Sequence, residues 1–150
     1  MSETTTPGQK KERSPLAVSA FGYDLVREDL LNELLGKDKP EILYWAGKRL
    51  ARKYPLTSME ETVQFFQDAS WGLLTVKEES KREMLLELSS ELISSRLNQN
   101  QNSTFQLEAG FIAQQIEYQK KVTAEAFEHP NKKSFKVQFT IKWDKTDIIE

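Results

Sequence analysis

The sequence predicts an α+β fold, with helices packed on one face of a short antiparallel β-sheet. Three observations predict it. Apolar residues recur at helical spacing from Pro15 to about Phe66, the pattern changes to alternation between Leu74 and Leu88, and a last stretch alternates cleanly near the end. The chain has 150 residues, a length that suits one domain, and such a domain buries roughly 68–70% of its unfolded surface. Residues 1–14 are expected to be a disordered tail and 15–150 a single α+β domain. The tail is rich in Ser, Thr, Lys and Glu, with too little apolar surface to offset the entropy of ordering.

The first helix is expected from Pro15 to about Leu35, with Gly36 as its C-cap. Its apolar residues are Phe21, Leu25, Val26, Leu30, Leu31, Leu34 and Leu35. They spread around most of the cylinder, so the helix either breaks partway or is contacted on two sides. The next helix opens at Asp38-Lys39-Pro40-Glu41, which has capping-box spacing, and ends at Tyr54-Pro55. Leu43, Ala46, Gly47, Leu50 and Tyr54 form its apolar side. A third helix starts at Ser58, with Glu61 three residues on, and runs out before Trp71-Gly72.

Leu74 and Val76 then define one strand, and Met84, Leu86 and Leu88 the next, with a turn over Lys77 to Lys81. A short helical stretch surrounds Leu92 to Leu97 and leads into a polar loop from Asn98 to Asn102. Gln106 to about Phe127 reads as the longest helix, on the order of 33 Å at 1.5 Å per residue. The closing strand sets Val137, Phe139, Ile141 and Trp143 against Lys136, Gln138, Thr140 and Lys142.

The chain carries few chemical constellations. Cysteine is absent, which removes disulfides, thiol nucleophiles and thiolate metal sites and fits a reducing compartment. The one histidine, His129, stands in His129-Pro130-Asn131, which reads as a surface turn. No phosphate-binding glycine loop, nucleophile elbow or metalloprotease helix is present. Glu60-Glu61 and Glu78-Glu79 read as cap and turn residues rather than acid–base pairs. No catalytic residue, metal ligand or cofactor is therefore assigned. A net charge of −2 gives no overall pull towards nucleic acid. No apolar run reaches the 18 or so residues of a membrane span and the start lacks a signal-peptide core, so a cytoplasmic location is expected.

Three features stand out from this background. Trp45 lies among Lys48, Arg49 and Arg52, away from Leu43 and Leu50. It either grips a phosphate-bearing ligand or nucleic acid, or packs under a neighbouring element while the cations complement the helix C-terminus. The long helix has two apolar stripes, Phe105-Ala109-Ile112-Ile116 and Leu107-Phe111-Tyr118-Val122, with Glu108, Gln115 and Gln119 between them. Two stripes imply two contact surfaces, the sheet and either a helix or a partner chain. Finally, Gly22, Gly47 and Gly110 lie inside helices at a cost of about 1 kcal/mol each against Ala, which close helix–helix approach would account for.

Several of these segments resemble the YslB family of Firmicutes, a domain of unknown function. The matching residues are Tyr44-Trp45-Ala46-Gly47-Lys48 with Ala51-Arg52-Lys53, Phe65-Phe66 with Trp71-Gly72-Leu73-Leu74-Thr75, Ile93-Ser94-Ser95-Arg96-Leu97, Phe105 to Ala113, and Lys142-Trp143-Asp144. That family looks like part of a fold group containing transport-protein-particle subunits, 4-vinyl reductase-like domains and haem nitric-oxide-binding domains. The resemblance implies a ligand-binding or dimerising module. The cysteines of many 4-vinyl reductase-like domains are missing here, as are the axial histidine and Tyr-x-Ser-x-Arg motif of the haem binders, so haem is not expected.

The expected function is a non-enzymatic cytoplasmic ligand-binding or scaffold module, homodimeric through its helices. A small hydrophobic ligand would meet Trp45, Phe66, Trp71, Phe105, Glu108, Phe111, Gln115 and Trp143. Alternatives are a docking adaptor for another protein, using the first and long helices, or an enzyme acting on a small hydrophobic substrate.

Overall fold

The computed structural model describes residues 16–99, 103–131 and 133–148. The tail over residues 1–14 and the end of the polar loop fall outside the described residues. The chain opens with a helical arm made of α1 (Ala20–Asp24), a π-helical segment (Leu25–Leu30) and α2 (Leu31–Leu35). A 3-10 turn (Gly36–Asp38) leads to α3 (Lys39–Lys53), followed by α4 (Met59–Asp68). Then come β1 (Leu73–Glu79), β2 (Glu83–Ser89), α5 (Glu91–Gln99), α6 (Gln106–Lys120), β3 (Val122–Asn131) and β4 (Lys136–Ile148). The strands form one antiparallel sheet in the order β1-β2-β4-β3. The α+β class is as the sequence predicts.

The arm is helical over the expected stretch, but its middle is wound as a π-helix. Gly36 ends it at φ 58°, a conformation open to glycine. At α3 the expected capping box does not form. Asp38 has φ −88° and ψ 5°, continues the 3-10 turn, and makes no side-chain cap bond. At α4 the box does form, with Ser58 Oγ accepting from Glu61 N at 3.1 Å. Glu61 Oε1 reaches one residue further back than the usual box, accepting from Thr57 N at 2.9 Å.

The largest departure from the sequence reading lies after α6. The helix stops at Lys120 because Lys121 takes the left-handed conformation, φ 60° and ψ 47°, and its N–H bonds Glu117 O at 2.9 Å. Residues 122–127, expected as helix, form strand β3 instead, with Val122, Ala124 and Ala126 buried and Thr123, Glu125 and Phe127 exposed. Alanine and glutamate favour helix locally, and pairing with β4 overrides them. Two side chains also cover the outward N–H groups of this edge strand: Glu117 Oε2 accepts from Ala124 N and Tyr44 Oη from Ala126 N, each at 3.0 Å.

His129 consequently sits in an edge strand opposite Gln138, with Nε2 3.2 Å from Thr140 Oγ1, and not in a turn. Pro130 is tolerated there because an edge strand can spare its N–H. The first hairpin turn is also tighter than expected. Lys77 to Glu79 belong to β1, which carries a bulge between Val76 and Glu78.

Helix α6 lies between the sheet and α3, so both of its apolar stripes are covered from within the chain. Its residues Glu108 to Ile116 are all buried. The α3–α6 contact is close at Gly47 and Gly110. A β-carbon on Gly47 would overlap the Leu107 carbonyl oxygen, and one on Gly110 the Tyr44 carbonyl oxygen. Gly22 has no such neighbour, only Ser19 Oγ at 3.3 Å. Gly110→Ala should therefore lower the unfolding free energy by about 1–3 kcal/mol through overpacking, despite the better helix propensity of alanine. Urea denaturation measures it, and a stabilised variant would contradict the close crossing.

Candidate functional site

The arm is built inside out. Its only fully buried side chains are Arg27 and Glu28, while Leu31 and Leu35 are half-buried. Phe21 is 72% exposed, Leu25 42%, Val26 56%, Leu30 47% and Leu34 67%. At helical spacing these five form an outward strip, opposite the strip that carries Arg27, Glu28, Leu31 and Leu35.

The inner strip is clasped by charge. Arg27 Nη2 donates to both carboxylate oxygens of Glu108, in the first turn of α6, at 2.7 Å each. Arg27 Nη1 donates to Tyr23 Oη at 3.0 Å. Glu28 pairs with Arg96 of α5 at 2.8 Å and with Lys39 of α3 at 3.5 Å. Lys39 Nζ also donates to Asn32 Oδ1 at 2.7 Å. Arg96 donates to Thr104 O at 3.0 Å and its guanidinium lies 4.2 Å from the centre of the Phe105 ring. Glu128 reaches over from β3, accepting from Thr104 Oγ1 at 2.7 Å and from Phe105 N at 2.9 Å.

Burial shapes the protonation of this cluster. Desolvation is the largest influence on Arg27 and works against its charge, but Glu108, Tyr23 and Glu28 together outweigh it and hold the guanidinium pKa above its ordinary value. Burial lowers the Lys39 pKa against the pull of Glu28. It raises that of Glu128, opposed by the hydrogen bonds from Thr104 and Phe105. The arrangement can hold an arm in register on the body. Among the described residues, no group of three or more His, Asp or Glu side chains could hold a metal ion.

The structure brings some of the residues singled out from the sequence together and separates others. Phe66, Trp71 and Phe111 interlock: Phe66–Trp71 ring centres are 4.9 Å apart and Trp71–Phe111 5.3 Å, with Phe65 stacked on Phe111 at 4.6 Å. Phe105 and Glu108 lie instead at the clasp. Gln115 accepts from Leu56 N at 3.0 Å and donates to Tyr54 O at 2.9 Å, tying down the α3–α4 connection. Trp143 is buried in β4, with Lys120 Nζ 5.0 Å from its ring centre.

Trp45 stands apart from all of these. It is 59% exposed, so no element among the described residues packs over it, against the second of the two expectations. The Arg49 guanidinium sits 5.2 Å from its ring centre, and the two line a surface cleft of about 550 Å³ with Ala46, Leu50, Arg52 and Lys53. Sequence reasoning missed Arg27 and Glu28. Their signal was an adjacent pair of opposite charges inside a helix whose apolar residues would not fit one stripe.

The chain is thus an α+β protein with a clasped, outward-apolar arm, and it belongs to the family described as Protein of unknown function (DUF2507), whose pattern matches residues 20–142. It is 46% identical over 134 residues to the uncharacterized protein YslB of Bacillus subtilis, covering 89% of this chain and 90% of that one. Among solved structures it resembles a vinyl-4-reductase family protein from Methanocaldococcus jannaschii, with a TM-score of 0.65, 15% identity, and coverage of 87% of this chain and 84% of that one. That likeness is one of fold. A weaker one, TM-score 0.37 and 16% identity, links it to an Fe(II) unliganded H-NOX protein from K. algicida, covering 84% of this chain and 60% of that one.

Arg27→Leu should cost about 3–5 kcal/mol of unfolding free energy, because it leaves the Glu108 carboxylate buried without its partner. The double variant Arg27→Leu/Glu108→Leu should recover most of that loss in the same denaturation experiment. Glu128 gives a pH signature. Its native pKa is raised, so its burial penalty is present above that pKa and is relieved as pH falls through it towards the ordinary carboxylate range. Relative to Glu128→Gln, the wild-type chain should gain stability as pH drops through this window, and a difference independent of pH would refute the assignment.

Proposed function

We propose that the protein is a non-enzymatic cytosolic scaffold or ligand-binding module that pairs with a second copy through its helices. The outward apolar strip of the arm carries this reading. A helix that turns charge inward and presents Phe21, Leu25, Val26, Leu30 and Leu34 to solvent has the apolar side of a buried element with nothing among the described residues over it. A cysteine-free composition suits a reducing cytosol.

Scaffolding is favoured over a deep internal ligand site by the packing of the aromatic residues. Phe66, Phe105 and Phe111 are fully buried against other side chains, which leaves surface clefts such as the one at Trp45 as places for a small ligand.

Sedimentation equilibrium should find a dimer at micromolar concentration. Leu30→Asp/Leu34→Asp should be a folded monomer that loses the stability that pairing adds. At concentrations too low for pairing, its unfolding free energy should lie within about 0.5 kcal/mol of the wild-type value, as expected for solvent-facing positions. Native mass spectrometry of the same samples would reveal any bound small molecule as mass lost on denaturation. A wild-type chain that stays monomeric, or a double variant that still pairs, overturns the reading.

A further inference from the structure

Two strips on this surface are complementary in charge and alike in being apolar. Along the arm, exposed Asp29 and Glu33 lie one helical turn apart beside Leu25, Leu30 and Leu34. Neither acid has an ion-pair partner among the described residues. Along α3, residues Lys39, Leu43, Gly47 and Ala51 face inward. The opposite side carries Trp45 with exposed Arg49, Arg52 and Lys53. Arg49 and Lys53 likewise make no ion pair among the described residues, and the Arg52 bond is to the neutral Gln114, from Nε to Oε1 at 3.3 Å. A cluster of unneutralised cations around an exposed tryptophan is unexpected on a chain with net charge −2. So is an acid-flanked leucine strip. The turn at 36–38 joins the two.

We propose that the acidic, leucine-bearing strip of the arm docks against the basic, Trp45-bearing strip of α3 in a second copy, with the contact made twice around a two-fold axis. This rests on the pairing argued above and specifies its surfaces. The chemistry of each strip selects the other. Leu30 and Leu34 offer aliphatic surface to the Trp45 ring, and Asp29 and Glu33 offer carboxylates to Arg49, Arg52 and Lys53. An isologous interface requires one patch to hold both halves of a complementary pair, and this chain carries both. Charges that match across an interface also fix its register and exclude the parallel arrangement, which would set acid against acid.

Charge exchange tests the proposal. Arg49→Glu/Arg52→Glu makes both docking strips acidic, and Asp29→Lys/Glu33→Lys makes both basic. Each variant alone should weaken dimerisation at least about tenfold, since like charges oppose each other in both contacts. Mixing the two variants in equal amounts should restore a one-to-one heterodimer, because each arm then meets an α3 of opposite sign. The fourfold variant should again pair with itself. Circular dichroism establishes that each variant is folded, and sedimentation equilibrium or native mass spectrometry reads the assembly.

Heterodimer formed only in the mixture, weakening as salt rises, supports the docking. If the wild-type chain dimerises and both charge variants dimerise as well, the strips do not meet and only the broader pairing stands. Variants that are monomeric and stay so when mixed also refute the docking, since the two strips then act separately. A wild-type monomer overturns both readings.

Discussion

Two helices can bring their backbones together only where β-carbons are missing, and α3 and α6 do so at Gly47 and Gly110. That crossing determines where the rest of the molecule goes. With α3 held close on one side and the sheet on the other, α6 is buried all round from Glu108 to Ile116. Every polar group on it must then find a partner inside the protein. Gln115 and Gln119 meet this need by bonding the chain that links α3 to α4, at Tyr54 O, Leu56 N and Ser58 O. Glu108 meets it by pairing with Arg27. The same burial that makes α6 a core element draws the arm onto the body through a charge.

Much of the fold was legible in the sequence because its signals are local. The Ser58–Glu61 cap, the alternation at Val137 to Trp143 and the two costly glycines of α3 and α6 each state a physical requirement within a few residues. The boundary at Lys121 was not legible. Ala124-Glu125-Ala126 has the composition of a helix, and alanine is too small to show the alternation that β3 follows. Only the long-range pairing with β4 makes these residues a strand, and no local pattern carries it. Asp38 is the reverse case, in which a correct cap spacing is defeated by the backbone conformation of the preceding turn.

The candidate site was the hardest part to read for a related reason. Hydrophobic periodicity assigns apolar residues to the inside, and the arm inverts the rule. Its scattered leucines suggested a broken helix or contacts on two sides, and among the described residues only the break is found. The π-helical turn breaks the regular repeat, the inner face is held by Arg27 and Glu28, and the outer face is left to solvent. Trp45 shows the same limit, since its spacing put it away from Leu43 and Leu50 without saying whether another element lay over it.

The inversion has an energetic consequence. An arm held by leucines would adhere over many registers, because burial of apolar area is non-directional. Guanidinium–carboxylate pairs instead reward one geometry, and a misplaced arm leaves Glu108 buried and unpaired. The clasp thereby sets the position from which the outer strip is presented. In the proposed pairing, a second copy laid over that strip excludes water from the arm. The Arg27–Glu108 pair beneath it is already out of water, and only an arm held by that pair presents the strip in register. Docking and clasping are then linked equilibria: each favours the other by the same free energy, so a change that loosens the clasp must also weaken the docking.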